Sequence, residues 1–468
     1  MTLIATSEKK VVIGMGATGI SVVRFLLRAG FSPVVADSRA LPPGLDAFRA
    51  EFPGVPVETG PLNAETMLAA SEIIASPGIA LAEPALQQAV SAGIPVIGDI
   101  ELFARELGKL AQPPKVVAIT GSNGKSTVTT LVGLMAEKAG VNVRVGGNIG
   151  VPVLDLLAQP LPDLFVLELS SFQLETTYSL APTVATILNL SADHMDRYAS
   201  LADYHRAKQR IYRNARQLVV NRADPLTRGP LSRECREWSF GLDQPDLQQF
   251  GVRRFHGGRE SGNQQEWLVQ GLDKLLPVSE LAMVGMHNVA NALAALALGN
   301  AVDLPVAAML AVLRTFKGLP HRCERVADLD GVTYVNDSKG TNVGATRAAL
   351  DGLATATNKI VLIAGGDGKG ADFSPLAEAA GALRALVAIG VDGDKVAAAF
   401  AGKTAIHRAI SMDDAVAQAR ALAERGDYVL LSPACASFDM YRNFEARGDD
   451  FRRAVAALSG SLTAGGAE

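Results

Sequence analysis

The stretch "VVAITGSNGKSTVTT" (116–130) constrains this chain more than any other. A β-branched run ends at Gly121 and a helical run starts near Lys125. The turn between them reads Gly121-Ser122-Asn123-Gly124-Lys125-Ser126. This is G-x-x-G-K-S, tighter than the Walker loop, which places four residues between its first glycine and Gly-Lys. A strand feeding a helix through such a turn aims backbone N–H groups and the helix's positive end at one point. That point suits a phosphate. Lys125 adds a point charge for terminal phosphate oxygens, and the Ser126 hydroxyl offers an oxygen to Mg²⁺. The helix is expected to run to Gly140, a natural C-terminal stop.

A metal–nucleotide site also needs an acid on a neighbouring strand. "DLFVLELSS" (163–171) is an apolar run ending at Glu168, where a carboxylate is costly unless a cation pairs with it. "NLSADHMDRY" (189–198) follows another strand and brings Asp193, His194 and Asp196 to the edge where open parallel sheets bind ligands.

Two further α/β blocks flank this one. Residues 10–98 alternate short strands and helices, and "GMGATG" places Gly14, Gly16 and Gly19 after the first strand, with Asp37 ending the next. Alone, that fingerprint describes a dinucleotide fold, although any diphosphate ligand could use the same helix end. From about residue 319, "NDSKGTN" (336–342), "GGDGKG" (365–370) and "SPACAS" (432–437) each follow a strand. The alternation predicts parallel sheets throughout. Residues 235–280 read as short irregular strands, "NVANALAALALGNAV" (288–302) as a buried helix, and the "GSLTAGGAE" tail as disordered. The expected architecture is α/β with three domains, each built on a mostly parallel sheet: 1–98, 99–318 and 319–468.

Composition narrows the function. A net charge of −4 gives no electrostatic case for nucleic-acid binding. The three cysteines lie far apart and fit a reducing compartment. The N-terminus lacks a signal-peptide pattern, and no run of about 18 apolar residues suggests a membrane span. A cytoplasmic protein is expected. A motor ATPase or a dehydrogenase would use one of the three strand-end clusters and leave the others idle, whereas an ATP-driven ligase acting on a nucleotide-carried substrate uses all three.

Taken together, "ITGSNGKSTVTTLV", "VGGNIG", "LELSSFQLE", "DHMDRY", "HNVANALAALAL", "GLPHR", "NDSKGTNVGA", "GGDGKGADF" and "LSPACAS" resemble the Mur ligases over about residues 10–457. The short G-x-x-G-K-S loop is that family's form. The resemblance implies ATP-dependent addition of D-glutamate to UDP-N-acetylmuramoyl-L-alanine through an acyl phosphate, in peptidoglycan precursor synthesis, by a monomer. It implies a UDP-substrate site at Ala17, Thr18, Asp37, Ser38, Arg39, Ser76 and Gly78, with Asn148 reaching the muramoyl group. ATP would contact Gly121, Ser122, Asn123, Gly124, Lys125, Ser126 and Thr127, then Asn291, Arg322 and Asp337. Ser126, Glu168, His194 and Lys208 would hold metal, two Mg²⁺ ions in all, with Lys208 carbamylated. Lys125, His194 and Lys208 would carry the catalysis, and glutamate would lie against Thr341, Lys369, Ser437 and Phe444. The chain departs from the pattern at Gly340 and Phe438, where alanine and leucine would be expected. The competing expectations are L-glutamate as acceptor, a folate-polyglutamate type of ligase, a dehydrogenase built on the "GMGATG" block, and a non-catalytic scaffold.

Overall fold

A computed structural model describes residues 8–464, apart from 196, 230–234, 257–263, 284 and 355–357. Three sheets form in chain order. The first holds β1 (Lys10–Ile13), β2 (Val34–Asp37), β3 (Val57–Thr59), β4 (Glu72–Ala75) and β5 (Val96–Ile97) in the order β3-β2-β1-β4-β5. All of its pairs are parallel, and the order reverses between β1 and β4. The glycine fingerprint therefore opens at the switch point, where such sheets take ligands. Helix Ala17–Arg28 follows so closely that a Cβ at Gly19 would lie 1.9 Å from the Gly14 carbonyl oxygen.

The second sheet contains β6 (Lys115–Thr120), β7 (Val143–Gly147), β8 (Leu164–Glu168), β9 (Val184–Ile187), β10 (Gln217–Asn221), β11 (Arg236–Phe240), β12 (Phe250–His256), β13 (Gln264–Gln270) and β14 (Asp273–Pro277). Its order is β14-β13-β12-β11-β10-β9-β6-β8-β7, so β6 is flanked by β8 and β9. The ends of these three strands carry the glycine loop, Glu168 and the segment leading to His194. β6 buries both faces: Val117 and Ile119 enter one core, Val116 and Ala118 another. Helix Met286–Ala301 covers the first of these cores, as expected of a buried helix.

The second core is shared with the first sheet. Helix Asp99–Gly108 contributes Ile100, Leu102, Phe103 and Leu107, and Phe103 meets Phe165 of β8 edge to face at 5.1 Å. Glu101 fastens the same helix to the segment between β8 and β9 by accepting from the backbone N–H groups of Tyr178 and Ser179.

The third sheet comprises β15 (Glu324–Leu329), β16 (Val332–Asn336), β17 (Ile360–Ala364), β18 (Leu383–Ala388), β19 (Ala405–Arg408) and β20 (Tyr428–Leu431) in the order β15-β16-β20-β17-β18-β19.

The sheets are mostly parallel, but the expectation of parallel pairing throughout is corrected at two edges. β12, β13 and β14 pair antiparallel, as do β15 and β16. Their connections are too short for a crossover helix: Asp330 and Gly331 join β15 to β16 with φ of 52° and 81°, a two-residue hairpin turn. The segment read as irregular thus contains β11 and a three-stranded meander. Helix Phe444–Ala464 extends into the tail expected to be disordered, whose last four residues lie outside the described residues. No helix among the described residues is long and apolar enough to cross a membrane.

Candidate active site

The loop after β6 turns on two glycines in the left-handed half of backbone space, Gly121 (φ 153°) and Gly124 (φ 81°). Gly124 caps helix Lys125–Lys138 without a side-chain hydrogen bond, leaving the helix end open. Lys125 Nζ is held 2.8 Å from both the Gly121 and Ser122 carbonyl oxygens, and burial pushes its ammonium below the usual lysine range. Asn123 N donates to Asn189 Oδ1 at 2.8 Å, which fixes the loop to the end of β9.

Glu168 and Lys208 converge on this loop from either side. Glu168 is 2% exposed; its Oε1 accepts from Asn148 Nδ2 at 2.8 Å, while Oε2 is buried without a hydrogen-bond partner. Asn148, expected to reach substrate, is thus engaged by the carboxylate. Lys208 is 1% exposed on helix Leu201–Gln209, with Nζ 2.9 Å from the Gly121 carbonyl oxygen and 3.3 Å from Thr120 Oγ1. Burial, then the neighbouring Lys125 charge, hold its amine far below the usual lysine range. Lys208 is thus a buried residue and not a solvated lysine on a helix surface. His194 stands on a turn with φ 58°, its Nε2 3.7 Å from Asp193 Oδ2. Asp196 lies outside the described residues.

Among the described residues, no three His, Cys, Asp or Glu side chains come together as a metal cage. An ion here would rely on one acid plus other oxygens. The orphaned Glu168 Oε2 and the Ser126 hydroxyl fit a hard cation that prefers oxygen. An unmodified lysine does not.

The third sheet's unit closes over the loop. Arg322 Nη2 donates to Ser126 Oγ at 2.7 Å, and Asn342 Nδ2 reaches Asp193 Oδ2 at 3.1 Å. Between the units lies a cavity lined by Asn123, Gly124, Thr127, Asn291, Arg322 and Asp337. Asp337 is pushed up to about 6 by burial, against hydrogen bonds from Ser432 Oγ and Cys323 N. The same cavity is lined by residues that sequence reasoning misses, among them Asn189, His287, Asn288 and Lys339. Lys339 stands in the "NDSKGTN" segment already recognised as a strand-end loop. Its Nζ lies 3.8 Å from the Phe444 ring centroid, and burial lowers its pKa to about 8.

The amino-acid candidates occupy one edge of the third sheet: Thr341 after β16, Lys369 after β17, Ser437 after β20. The last two loops are joined, with Asp367 N donating to the Ala436 carbonyl oxygen and Ala436 N to that of Asp367. Lys369 is exposed, 5.9 Å from the Phe438 ring centroid, and Ser437 is buried. Arg447, another missed residue, is 3% exposed and bonds to the carbonyls of Ser338, Cys435 and Ala436, locking the loops after β16 and β20 together.

At the first sheet's switch point, Asp37 is 2% exposed and saturated by Met15 N, Arg39 N, Arg39 Nε and Arg39 Nη2. The Arg39 guanidinium beside it holds its carboxyl below the usual carboxylate range. A dinucleotide fold needs this acid free for ribose hydroxyls, so the dehydrogenase expectation loses its chief residue. Ser76 packs under Gly14, with Oγ buried and lacking a hydrogen-bond partner. Ala17, Ser38, Arg39 and Gly78 are exposed around the same edge and Thr18 is half-buried.

Comparison with known proteins gives one answer along the chain. Residues 8–98 match the Mur ligase MurD-like N-terminal domain, 119–299 the Mur ligase middle domain, and 321–435 the Mur ligase glutamate ligase domain. UDP-N-acetylmuramoylalanine–D-glutamate ligases of Pseudomonas fluorescens and Pseudomonas aeruginosa are 54% and 53% identical, each over 98% of this chain and 100% of their own. Among solved structures, the Thermotoga maritima MurF ligase in complex with ADP superposes with a TM-score of 0.60 over 96% of both chains, at 16% identity.

Proposed function

The chain belongs to the Mur ligase family, and on that footing we propose that it joins D-glutamate to UDP-N-acetylmuramoyl-L-alanine at the expense of ATP. One observation carries the reading: Lys125, Glu168, Lys208 and Arg322, from two units, converge on a single glycine loop at a strand–helix junction. Identity above 50% to full-length D-glutamate ligases supports the choice of substrates.

In this reading the unit 1–98 holds the UDP substrate at Ala17, Thr18, Asp37, Ser38, Arg39, Ser76 and Gly78. The orphaned Ser76 hydroxyl finds its partner there, and Asp37 acts through Arg39. The unit 99–318 holds ATP on residues 121–127 and Asn291, and the unit 319–468 adds Arg322, Asp337 and the glutamate site at Thr341, Lys369, Ser437 and Phe444. All of these come from one chain, which supports a monomer as the working unit. A reaction consuming ATP and a nucleotide sugar belongs to the cytoplasm.

The alanyl carboxylate attacks the γ-phosphorus, ADP departs, and an acyl phosphate forms. Lys125, Arg322 and the loop N–H groups face the charge on the transferring phosphoryl group, the main source of catalysis in such reactions. The glutamate amine then attacks the acyl carbon, phosphate leaves with the former carboxylate oxygen, and the amine loses a proton. Closure of the third unit keeps water from the acyl phosphate. Lys369 supplies the cation that a dicarboxylic amino acid needs to be held away from water.

Ser126, Glu168, His194 and Lys208 would hold two Mg²⁺ ions, which when bound neutralise phosphate charge. Lys208 contributes as a carbamate: its buried, neutral amine adds to CO₂, forms an N–C bond and loses a proton. That converts a poor partner for a hard cation into a carboxylate-like one.

The test is a release assay for ADP and phosphate. Turnover should require ATP, UDP-N-acetylmuramoyl-L-alanine and D-glutamate together. ADP release without the UDP substrate, or a preference for L-glutamate, would overturn the assignment.

A further inference from the structure

We propose that Arg197 is a positioning residue that ties the 77–79 loop of the first sheet to the turn carrying His194, so that filling the UDP-substrate site and filling the ATP site favour each other. The inference rests on the functional reading above, which places the UDP substrate beside Gly78.

Arg197 belongs to the second unit, but its guanidinium reaches across to the first. Nη1 donates to the Pro77 carbonyl oxygen at 3.1 Å and Nη2 to that of Ile79 at 3.0 Å. Nη2 also pairs with Glu175 Oε2 at 2.7 Å, with the two side chains only 15% and 16% exposed. The planar fork thus meets three acceptors from two units, a geometry that a lysine point charge cannot reproduce. Residues 76–79 form a tight turn, Ile79 N donating to the Ser76 carbonyl oxygen. Arg197 therefore grips two carbonyls on either side of Gly78.

From there, contacts lead directly to His194. The guanidinium carbon lies 4.2 Å from the Phe172 ring centroid, and Phe172 meets the His194 ring edge to face at 4.8 Å. A second link is the backbone: Arg197 N donates to the His194 carbonyl oxygen at 3.0 Å and closes the turn in which His194 takes φ 58°. Side chains adopt that conformation only when their surroundings enforce it. A substrate that orders the 77–79 loop thereby anchors Arg197, and Arg197 anchors both the ring and the turn that set His194. Linkage makes the effect reciprocal.

Calorimetry on the full-length protein tests this. UDP-N-acetylmuramoyl-L-alanine is titrated with and without a saturating non-hydrolysable ATP analogue and Mg²⁺. In the wild-type protein the analogue should tighten UDP-substrate binding by at least about 5-fold, the lower end of measured couplings. Arg197→Met should bring that factor close to one while affinity for the analogue alone stays within about 2-fold of wild type. Arg197→Lys should lose most of the coupling, and Glu175→Gln, which leaves the guanidinium in place but unpaired, should give an intermediate factor. These two carry the test if Arg197→Met does not fold. Full coupling in the Arg197 variants, or none in the wild type, overturns the inference alone. A wild-type protein that binds neither probe overturns the functional reading as well.

Discussion

Lys208 and Asp99 are both buried ionisable groups, and their surroundings give them opposite uses. Around Lys208 burial acts first and the charge of Lys125 next, and both favour the neutral amine. If that amine is carbamylated, Lys208→Ala should lower kcat by roughly 10²–10³-fold, the scale for losing one preorganised electrostatic group. Short carboxylic acids should restore part of the rate. Full activity of the alanine variant would contradict the role. Asp99, 2% exposed at the start of helix Asp99–Gly108, has no well-formed hydrogen bond to either carboxylate oxygen, and burial pushes it up to about 6. A carboxyl raised on folding stabilises the protein while protonated, and that contribution fades as pH climbs through 6. Each tenfold change in proton affinity is worth about 1.4 kcal/mol, so Asp99→Asn should stabilise the fold by about 2–3 kcal/mol above pH 6 and do little at pH 4. Chemical denaturation at the two pH values reads this, and an equal effect at both would refute it. Lys125 and Glu168 are visible in the sequence because each breaks a pattern: a lysine at the mouth of a glycine turn, an acid inside an apolar strand. Arg447 is not, since "FEARGDD" has the composition of a solvated helix face although the arginine is buried. Arg197 stands within "DHMDRY", but nothing in one dimension places it against residues 77–79.

Strands whose ends carry the candidate site residues are the most legible elements. β1, β6, β16, β17 and β20 each read as a β-branched or apolar run followed by glycine, serine or acid, and β8 itself ends in an acid, which is how parallel strands deliver loops to one edge. The antiparallel edges escape that reading because the alternation of strand and helix does not extend to them. "DLDGVTYV" holds an Asp-Gly pair between two apolar runs, a hairpin signal that the alternation hides. β19 lies in a polar stretch with two exposed residues, and its strand character comes only from pairing with β18. Helix Ala17–Arg28 shows how one element sets a site. It approaches β1 so closely that Gly19 has no room for a methyl group against the Gly14 carbonyl. Gly19→Ala should push the helix start off the turn, destabilising the protein by about 1–3 kcal/mol, the usual cost of overpacking. The same displacement should weaken UDP-substrate binding more than ATP binding, and equal effects on the two ligands would argue against a UDP site at this helix end.

At the scale of the whole molecule, the packing divides unequally. The first two sheets share an apolar core through helix Asp99–Gly108, whereas among the described contacts the third sheet's unit meets the glycine loop through polar ones: Arg322 to Ser126, and Asn342 to Asp193 and Asn123. Polar contacts exchange readily for ligand contacts, which would suit a unit that opens for substrates and closes for chemistry, as the proposed reaction asks. Three sheets can be read from the chain because each carries its own strand-end signature. Their mutual placement cannot, since it depends on buried side chains spread over the whole length. The central claim is that ATP activates the alanyl carboxylate for attack by D-glutamate. It is tested most directly with UDP-N-acetylmuramoyl-L-alanine labelled with ¹⁸O in that carboxylate. The account predicts one ¹⁸O atom in the phosphate released per dipeptide formed, and phosphate free of label in an otherwise productive reaction would contradict it.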